Sequence, residues 1–228
     1  MKKQLTKYFK LHEIIIWTIS VSTIIIFFLM FNRENYLTLA ASVIGVTSIM
    51  LNAKGNPIGQ LLMVIFSLIY GYISFSVKYY GEMITYVGMT MPMAVFALIA
   101  WLRHPFKGKK SEVTVNRLNK KEIFLIVPLT IIVTVIFYFI LSYFNTSKIV
   151  PSTISVTTSF LAVYLTFRRS PYFSLAYAFN DIVLIVLWTM VSMDNTKYIS
   201  VLVCFTAFLV NDIYAFISWK KMEKRQKQ

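Results

Sequence analysis

The chain has 228 residues, 57% of them hydrophobic and 14% charged, with a formal net charge of +14. Soluble domains carry about 25% charged residues, so this composition excludes an ordinary water-soluble domain, and with seven Gly and six Pro it also excludes low-complexity disorder. Lys and Arg sit beside apolar runs and not on one soluble face, which argues against a nucleic-acid surface, and the single Cys204 can build neither a disulfide framework nor a cysteine metal site.

Eight apolar segments follow one another, at residues 14–31, 36–51, 57–77, 82–102, 122–144, 150–167, 172–193 and 197–219. A helix needs about 20 residues to cross the hydrocarbon core. The second and sixth segments are short for this, which leaves seven as the alternative count. The first follows Lys2, Lys3, Lys7 and Lys10 and carries no small-residue cleavage site, so it is read as a retained span and not as a secretory signal.

Loop charge supports eight spans. With the N-terminus in the cytoplasm, the inner segments hold the four N-terminal Lys, Lys54, the seven Lys and Arg from Arg103 to Lys121, Arg168, Arg169 and five after Trp219. The outer loops hold only Arg33, Lys78, Lys148 and Lys197 of the 23 basic residues. This follows the positive-inside rule and puts both termini in the cytoplasm of a multi-pass cell-membrane protein. The expected fold is an all-α membrane protein of about eight transmembrane helices.

An internal repeat is visible. Tyr70, Tyr80 and Trp101 recur 118 residues later as Trp188, Tyr198 and Trp219, and Gly81, Thr85, Gly88 and Pro92 match Ser200, Cys204, Ala207 and Asn211 at an offset of 119. Segments two to four then correspond to six to eight, with segment five as a single linker between them. Two triplets running in the same direction form a parallel repeat. The corresponding units are 1–35 (tail and extra N-terminal helix), 36–102 (first triplet), 103–149 (cytoplasmic loop and linker helix), 150–219 (second triplet) and 220–228 (basic tail). Their first helices are rich in small hydroxyl residues, which let helices approach closely in lipid. Trp101, Trp219, Tyr79, Tyr80 and Tyr198 are read as interfacial anchors.

Two Asn-Asp pairs, Asn180-Asp181 and Asn211-Asp212, lie inside apolar spans with no Lys or Arg at that depth. Ionisable groups there are costly and face cavities or pathways. Tyr177, Asp181 and Trp188 share a helical face, and Tyr214 follows Asn211 by about a turn. Together these offer carboxylates for ribose hydroxyls, amides for polar groups and aromatic faces for a ring, a cationic ring in particular. Gln60, Tyr86 and Thr90 are candidates to line the first half of the same cavity. The bland alternative makes the Asn-Asp pairs interhelical glue in a non-transporting membrane scaffold subunit. Glu82 is read as a helix N-terminal cap or an outer gate, and Pro92 as a kink or hinge. At matching repeat positions the first triplet carries Leu62-Met63 and Met93-Ala94, so the site is expected to be asymmetric. His12 and His104 lie outside the spans, no Gly-rich phosphate loop occurs, and neither Asp sits in a Gly-x-Gly-Asp context; no metal, cofactor or enzyme activity is expected.

The stretches from Ser170 through Asn180-Asp181 to Trp188 and from Cys204 through Asn211-Asp212 to Tyr214 and Trp219 resemble the PnuC family of vitamin and nucleoside transporters. Leu51-Asn-Ala-Lys-Gly-Asn56, Tyr80-Gly-Glu-Met83 and Pro92-Met-Ala94 support the resemblance, which covers most of residues 36–222. Where many members carry Gly-Trp-x-x-Trp, this chain reads Phe96-Ala-Leu-Ile-Ala-Trp101. The resemblance implies a SWEET-like arrangement of three, one and three helices, and uptake of nicotinamide riboside by facilitated diffusion with trapping by a cytosolic kinase. It also implies a homo-oligomer, with a trimer as the suggested state. A deoxynucleoside, thiamine or riboflavin is the alternative cargo within the family.

Overall fold

A computed structural model of the protein describes residues 8–76, 79–146 and 148–228. Lys2, Lys3, Lys7 and Lys78 of the charge count, and Val77 at the end of the third apolar run, lie outside the described residues. The chain forms α1 (Leu11–Phe31), α2 (Tyr36–Asn52), α3 (Ile58–Ser76), α4 (Tyr80–Arg103), α5 (Lys120–Tyr143), α6 (Ile149–Phe167), α7 (Phe173–Asp194) and α8 (Thr196–Gln226). Among the described residues seven of these are long and apolar enough to cross a membrane, and α2, at 17 residues, is the shorter one. At 1.5 Å per residue α2 spans about 25 Å, a little under the ~30 Å core. The sixth apolar segment gains length in the structure because the helix begins at Ile149 and runs 19 residues.

One element departs from an all-α chain. Between α4 and α5 a short hairpin pairs β1 (Pro105–Phe106) with β2 (Lys109–Val113), turning at Lys107 and Gly108, both at positive φ. The stretch after it is a strap. Val113 donates its N–H to the Gly55 carbonyl at 2.9 Å, and Asn116 donates to the Arg169 carbonyl at 3.0 Å. Gln226, at the end of α8, donates to Val113 O at 3.0 Å and accepts from Val115 N at 2.7 Å. Arg225 pairs with Glu112 and Arg117 with Glu223.

Those bonds expose the repeat. Gly55 and Arg169 are 114 residues apart, both at positive φ (67° and 57°), and the strap holds both. Around them Asn56 N and Ser170 N bond back to Leu51 O and Leu165 O at 3.1 and 3.0 Å. Ile58 N bonds the Asn56 side chain and Tyr172 N the Ser170 side chain, each turn carrying Pro57 or Pro171. The turns before α3 and α7 are therefore one motif used twice, and this offset carries through the two helices. Buried Gln60, Ser67 and Ser74 fall on buried Ser174, Asp181 and Trp188.

The offset of 118 expected between Tyr70 and Trp188 is thus one helical turn out in α3 and α7. By position Asn180-Asp181 matches Phe66-Ser67, not Leu62-Met63. A shift of four residues returns a side chain to nearly the same face, which is why the pattern misled. The slip from 119 to 118 in α4 and α8 also has a cause. Residues Ile84–Thr90 form a π-helical segment just before Pro92. A π-turn inserts one residue into a helix, and Pro92 cannot donate the N–H that a regular helix requires. Before it, buried Gly81, Thr85 and Tyr86 match buried Ser200, Cys204 and Phe205 at 119; after it, Ala97 and Trp101 match Ala215 and Trp219 at 118.

The triplets meet through α8 against α2 and α4 against α6. The linker helix α5 stands outside, on α6, and α1 packs across α2 and α8 on the other side. This arrangement fits two triplets joined by a linker, with one extra N-terminal helix. Residues 8–13, Lys54, the hairpin, Arg168 and the end of α8 gather at the same end of the bundle, where Tyr8 accepts from Asn56 at 2.9 Å and Glu13 pairs with Lys54 at 2.9 Å.

Candidate functional site

The six triplet helices close around one polar cavity. From α7 it is lined by Phe173, Tyr177, Asn180 and Asp181, from α8 by Phe208 and Asp212, and from α6 by Ser159. The first triplet supplies Ile49 and Asn52 from α2, Met63 and Phe66 from α3, and Tyr86 and Thr90 from α4. Asp181 and Asp212 sit within hydrogen-bonding reach of each other, each at most 4% exposed. Among the described residues Asp181 Oδ2 has no hydrogen-bond partner.

Asn180 is held by α6. Its carbonyl oxygen accepts from Thr158 at 2.8 Å, Ser159 at 2.9 Å and, more weakly, Ser155 at 3.4 Å. The hydroxyl-rich face of α6 thus fixes the amide next to the carboxyl pair. On the opposite wall Gln60 Nε2 donates to Asn52 Oδ1 at 2.9 Å, and Asn52 Nδ2 reaches Ser48 at 3.4 Å. Gln60 therefore positions Asn52, and Asn52 itself lines the cavity. The first triplet brings Asn52, Tyr86 and Thr90 as polar groups, so the asymmetry expected from sequence is one of charge: both carboxyls come from the second half.

Four of the expected site residues lie elsewhere. Asn211 turns toward α1, donating to Ser20 Oγ at 2.8 Å and to Ala207 O at 2.7 Å. Tyr214 donates to Glu13 at 2.7 Å at the strap end. Gln60 lies behind Asn52. Trp188 donates its Nε1–H to the Tyr70 hydroxyl at 3.0 Å, with its ring beside Tyr79 and Tyr198. The sequence reading missed Asn52 and Ser159. Asn52 looked like a loop residue at a helix end, and Ser159 was one hydroxyl among many on α6.

Aromatic clusters seal both ends. At the strap end Trp101 and Trp219 lie 5.4 Å apart with Phe173 at 4.9 Å from Trp219. Both Trp are fully buried, so neither is the interfacial anchor expected from sequence. Their indoles complete the fold reciprocally: Trp101 donates to Thr166 O at 2.9 Å and Trp219 to Asn52 O at 2.7 Å, a second bond on carbonyls that already accept from Arg169 N and Gly55 N where α6 and α2 end. At the other end Tyr70, Trp188, Tyr79 and Tyr198 form the second plug. Between the plugs the cavity measures about 20 Å³. That is room for about one water, against the ~300 Å³ or more of a small-molecule site. The conformation is occluded: as it stands the cavity has no room for a drug-sized solute.

The chain is similar to a curated protein named nicotinamide riboside transporter PnuC from Neisseria mucosa, at 24% identity over 199 residues, covering 86% of this chain and 76% of that one. Its fold is similar to a crystal structure of the vitamin B3 transporter PnuC, with a TM-score of 0.83 and 22% identity over 96% of this chain and 94% of that one. The family model described as nicotinamide mononucleotide transporter matches residues 35–221. With residues 35–221 inside that match, the chain belongs to this family of membrane transporters, the PnuC family.

Proposed function

We propose that the protein imports nicotinamide riboside across the cell membrane by facilitated diffusion, with a cytosolic kinase trapping the solute as its phosphate ester. One observation carries the cargo assignment: a buried cavity with two adjacent carboxyls, amides and aromatic rings, and no Lys or Arg among its lining residues. A cationic pyridinium ring offsets the carboxyl charge and gains from the Tyr and Phe faces, and ribose hydroxyls donate to Asp181 and Asp212. The name of the Neisseria relative supports the same cargo. Asn180, Asp181, Asp212, Tyr177, Tyr86 and Thr90 contact the solute directly. Asn211, Trp188, Tyr214 and Gln60 act one layer out, holding α1, Tyr70, Glu13 and Asn52.

The basic residues gathered at the strap end support the reading that this end, with both termini, faces the cytoplasm. The two triplets rock about the cavity and open one plug at a time. The unit of function is a homo-oligomer, with a trimer as the expected state. The decisive assay is uptake by proteoliposomes holding only this protein. Labelled nicotinamide riboside should enter and be competed by unlabelled nicotinamide riboside, and weakly by thymidine. Stronger competition by deoxynucleosides, thiamine or riboflavin would reassign the cargo, and no uptake of any of them would favour a scaffold role.

A further inference from the structure

Glu82 carries a carboxyl that the central cavity does not use. Its side chain is 1% exposed. It is the third residue of α4, after the cap residue Tyr79. Glu13 and Glu122 hold the same place in α1 and α5, and each reaches back to the cap N–H, at 2.7 and 3.3 Å. Glu82 makes no such bond: the start of α4 has no side-chain cap, and among the described residues Glu82 Oε2 has no partner. The capping role that its position suggests is therefore absent.

The fold does not demand an acid there either. The repeat puts Val201 at the equivalent place in α8, buried like Glu82. A carboxyl kept where an apolar residue packs, with no ion pair and no hydrogen-bond donor among the described residues, is a net cost to the closed state unless something pairs with it later. Tyr86 follows Glu82 by four residues in α4, and its ring meets that of Tyr70 in α3 at 4.5 Å. Trp188 fixes Tyr70 through its hydroxyl. On the same face of α3 as Tyr70, Ser67 and Ser74 are fully buried with hydroxyls that lack partners among the described residues. Tyr86 also lines the central cavity, so it is shared between Glu82 and the Asp pair.

We infer that Glu82, Tyr70 and Tyr86 form a second station for a cationic aromatic ring, between the central cavity and the mouth opposite the strap. The inference rests on the transport reading above. A carboxylate beside two aromatic faces recognises a planar cation by charge and by the ring quadrupole together, and discriminates against a neutral ring of the same shape. When the Tyr70–Trp188 plug parts, the ring meets Glu82 first and passes along Tyr86 to Asp181 and Asp212.

The test compares nicotinamide riboside, which is cationic, with its neutral dihydro form of nearly the same shape, in proteoliposomes holding the parent protein, Glu82→Gln or Glu82→Asp. Glu82→Gln should raise KM about tenfold for the cationic form and less than twofold for the neutral one, the loss of one charged partner. Glu82→Asp should keep the preference for the cation. Equal shifts for both solutes, or none, would overturn the station. A second arm needs no transport: 1-methylnicotinamide, a cationic ring without ribose, should raise the melting temperature of the purified parent and of Glu82→Asp more than that of Glu82→Gln, which keeps only the central Asp pair. Equal stabilisation of all three, or of none, overturns the station. A parent that carries neither riboside form defeats the transport reading, and this second arm still decides the station.

Discussion

Asn180 and Asp181 are adjacent in sequence yet do different work. Asn180 spends its carbonyl on the hydroxyls of α6, whereas Asp181 turns one oxygen into the cavity without a partner. Asp181→Asn and Asp212→Asn are expected to raise the KM for nicotinamide riboside by roughly tenfold or more, since a hydrogen bond to a charged group contributes about 1.5–3 kcal/mol. Kinetics on proteoliposomes with matched protein content check this. Asn180→Leu leaves buried hydroxyls on α6 facing an apolar side chain. It should destabilise the helix pair by about 0.6–1.7 kcal/mol, the range of polar contacts between membrane helices, read as a lower unfolding midpoint in detergent. The Asn-Asp pairs were legible because an acid in an apolar run is costly wherever it points. Which of the four side chains faces the cavity was not legible. Neighbours on a helix are rotated by 100°, and only the packing of α1 against α8 turns Asn211 toward Ser20 while Asp212 faces inward.

The helices pack closely where glycine permits it. A Cβ on Gly45 in α2 would fall 2.2 Å from the tip of the Phe208 ring in α8, and Phe208 lines the cavity. Gly45→Ala is therefore expected to drive that ring into the cavity, lowering stability by about 1–3 kcal/mol and slowing uptake together. Thermal unfolding and initial uptake rates on the same preparation measure both. At this scale the recurrence of Trp101 as Trp219 was a true signal with a mistaken meaning, while that of Tyr70 as Trp188 was one turn out of register. Trp101 and Trp219 recur because each triplet contributes one of them to the plug at the strap end, not because they meet the lipid headgroups. The 114-residue match of the turns at Gly55 and Arg169 was harder to see, because the two turns share few identical side chains. What they share is backbone: a left-handed residue, a polar side chain bonding two residues on, and a proline. The one-residue slip in α4 was likewise visible as a number, while its cause, a π-helical segment ahead of Pro92, belongs to the backbone.

Across the whole molecule, the strap and the plugs tie the two triplets together at both ends. The strap bonds the turn of each triplet at one end, so opening that end must strain or release the bonds from Val113 to Gly55 and from Asn116 to Arg169. Removing the Asn116 N–H with Asn116→Pro should favour the state open on that side. A cysteine placed at Ser159 would then be labelled faster by an impermeant thiol reagent applied from the strap side, and no faster from the other. Equal labelling from both sides would show that the strap does not control the opening. The succession of apolar helices, and the gathering of Lys54, Arg168 and the basic end of α8 at one end of the bundle, were legible in the order of apolar runs and charges. The occluded state was not, because it depends on how two apolar triplets mesh. The most direct measurement is equilibration of labelled nicotinamide riboside in proteoliposomes, with and without an imposed pH gradient, for the parent and Asp181→Asn. The parent should bring inside and outside to equal concentration whatever the gradient, and Asp181→Asn should be slow. Accumulation driven by the pH gradient, or parent-like rates in Asp181→Asn, would contradict this.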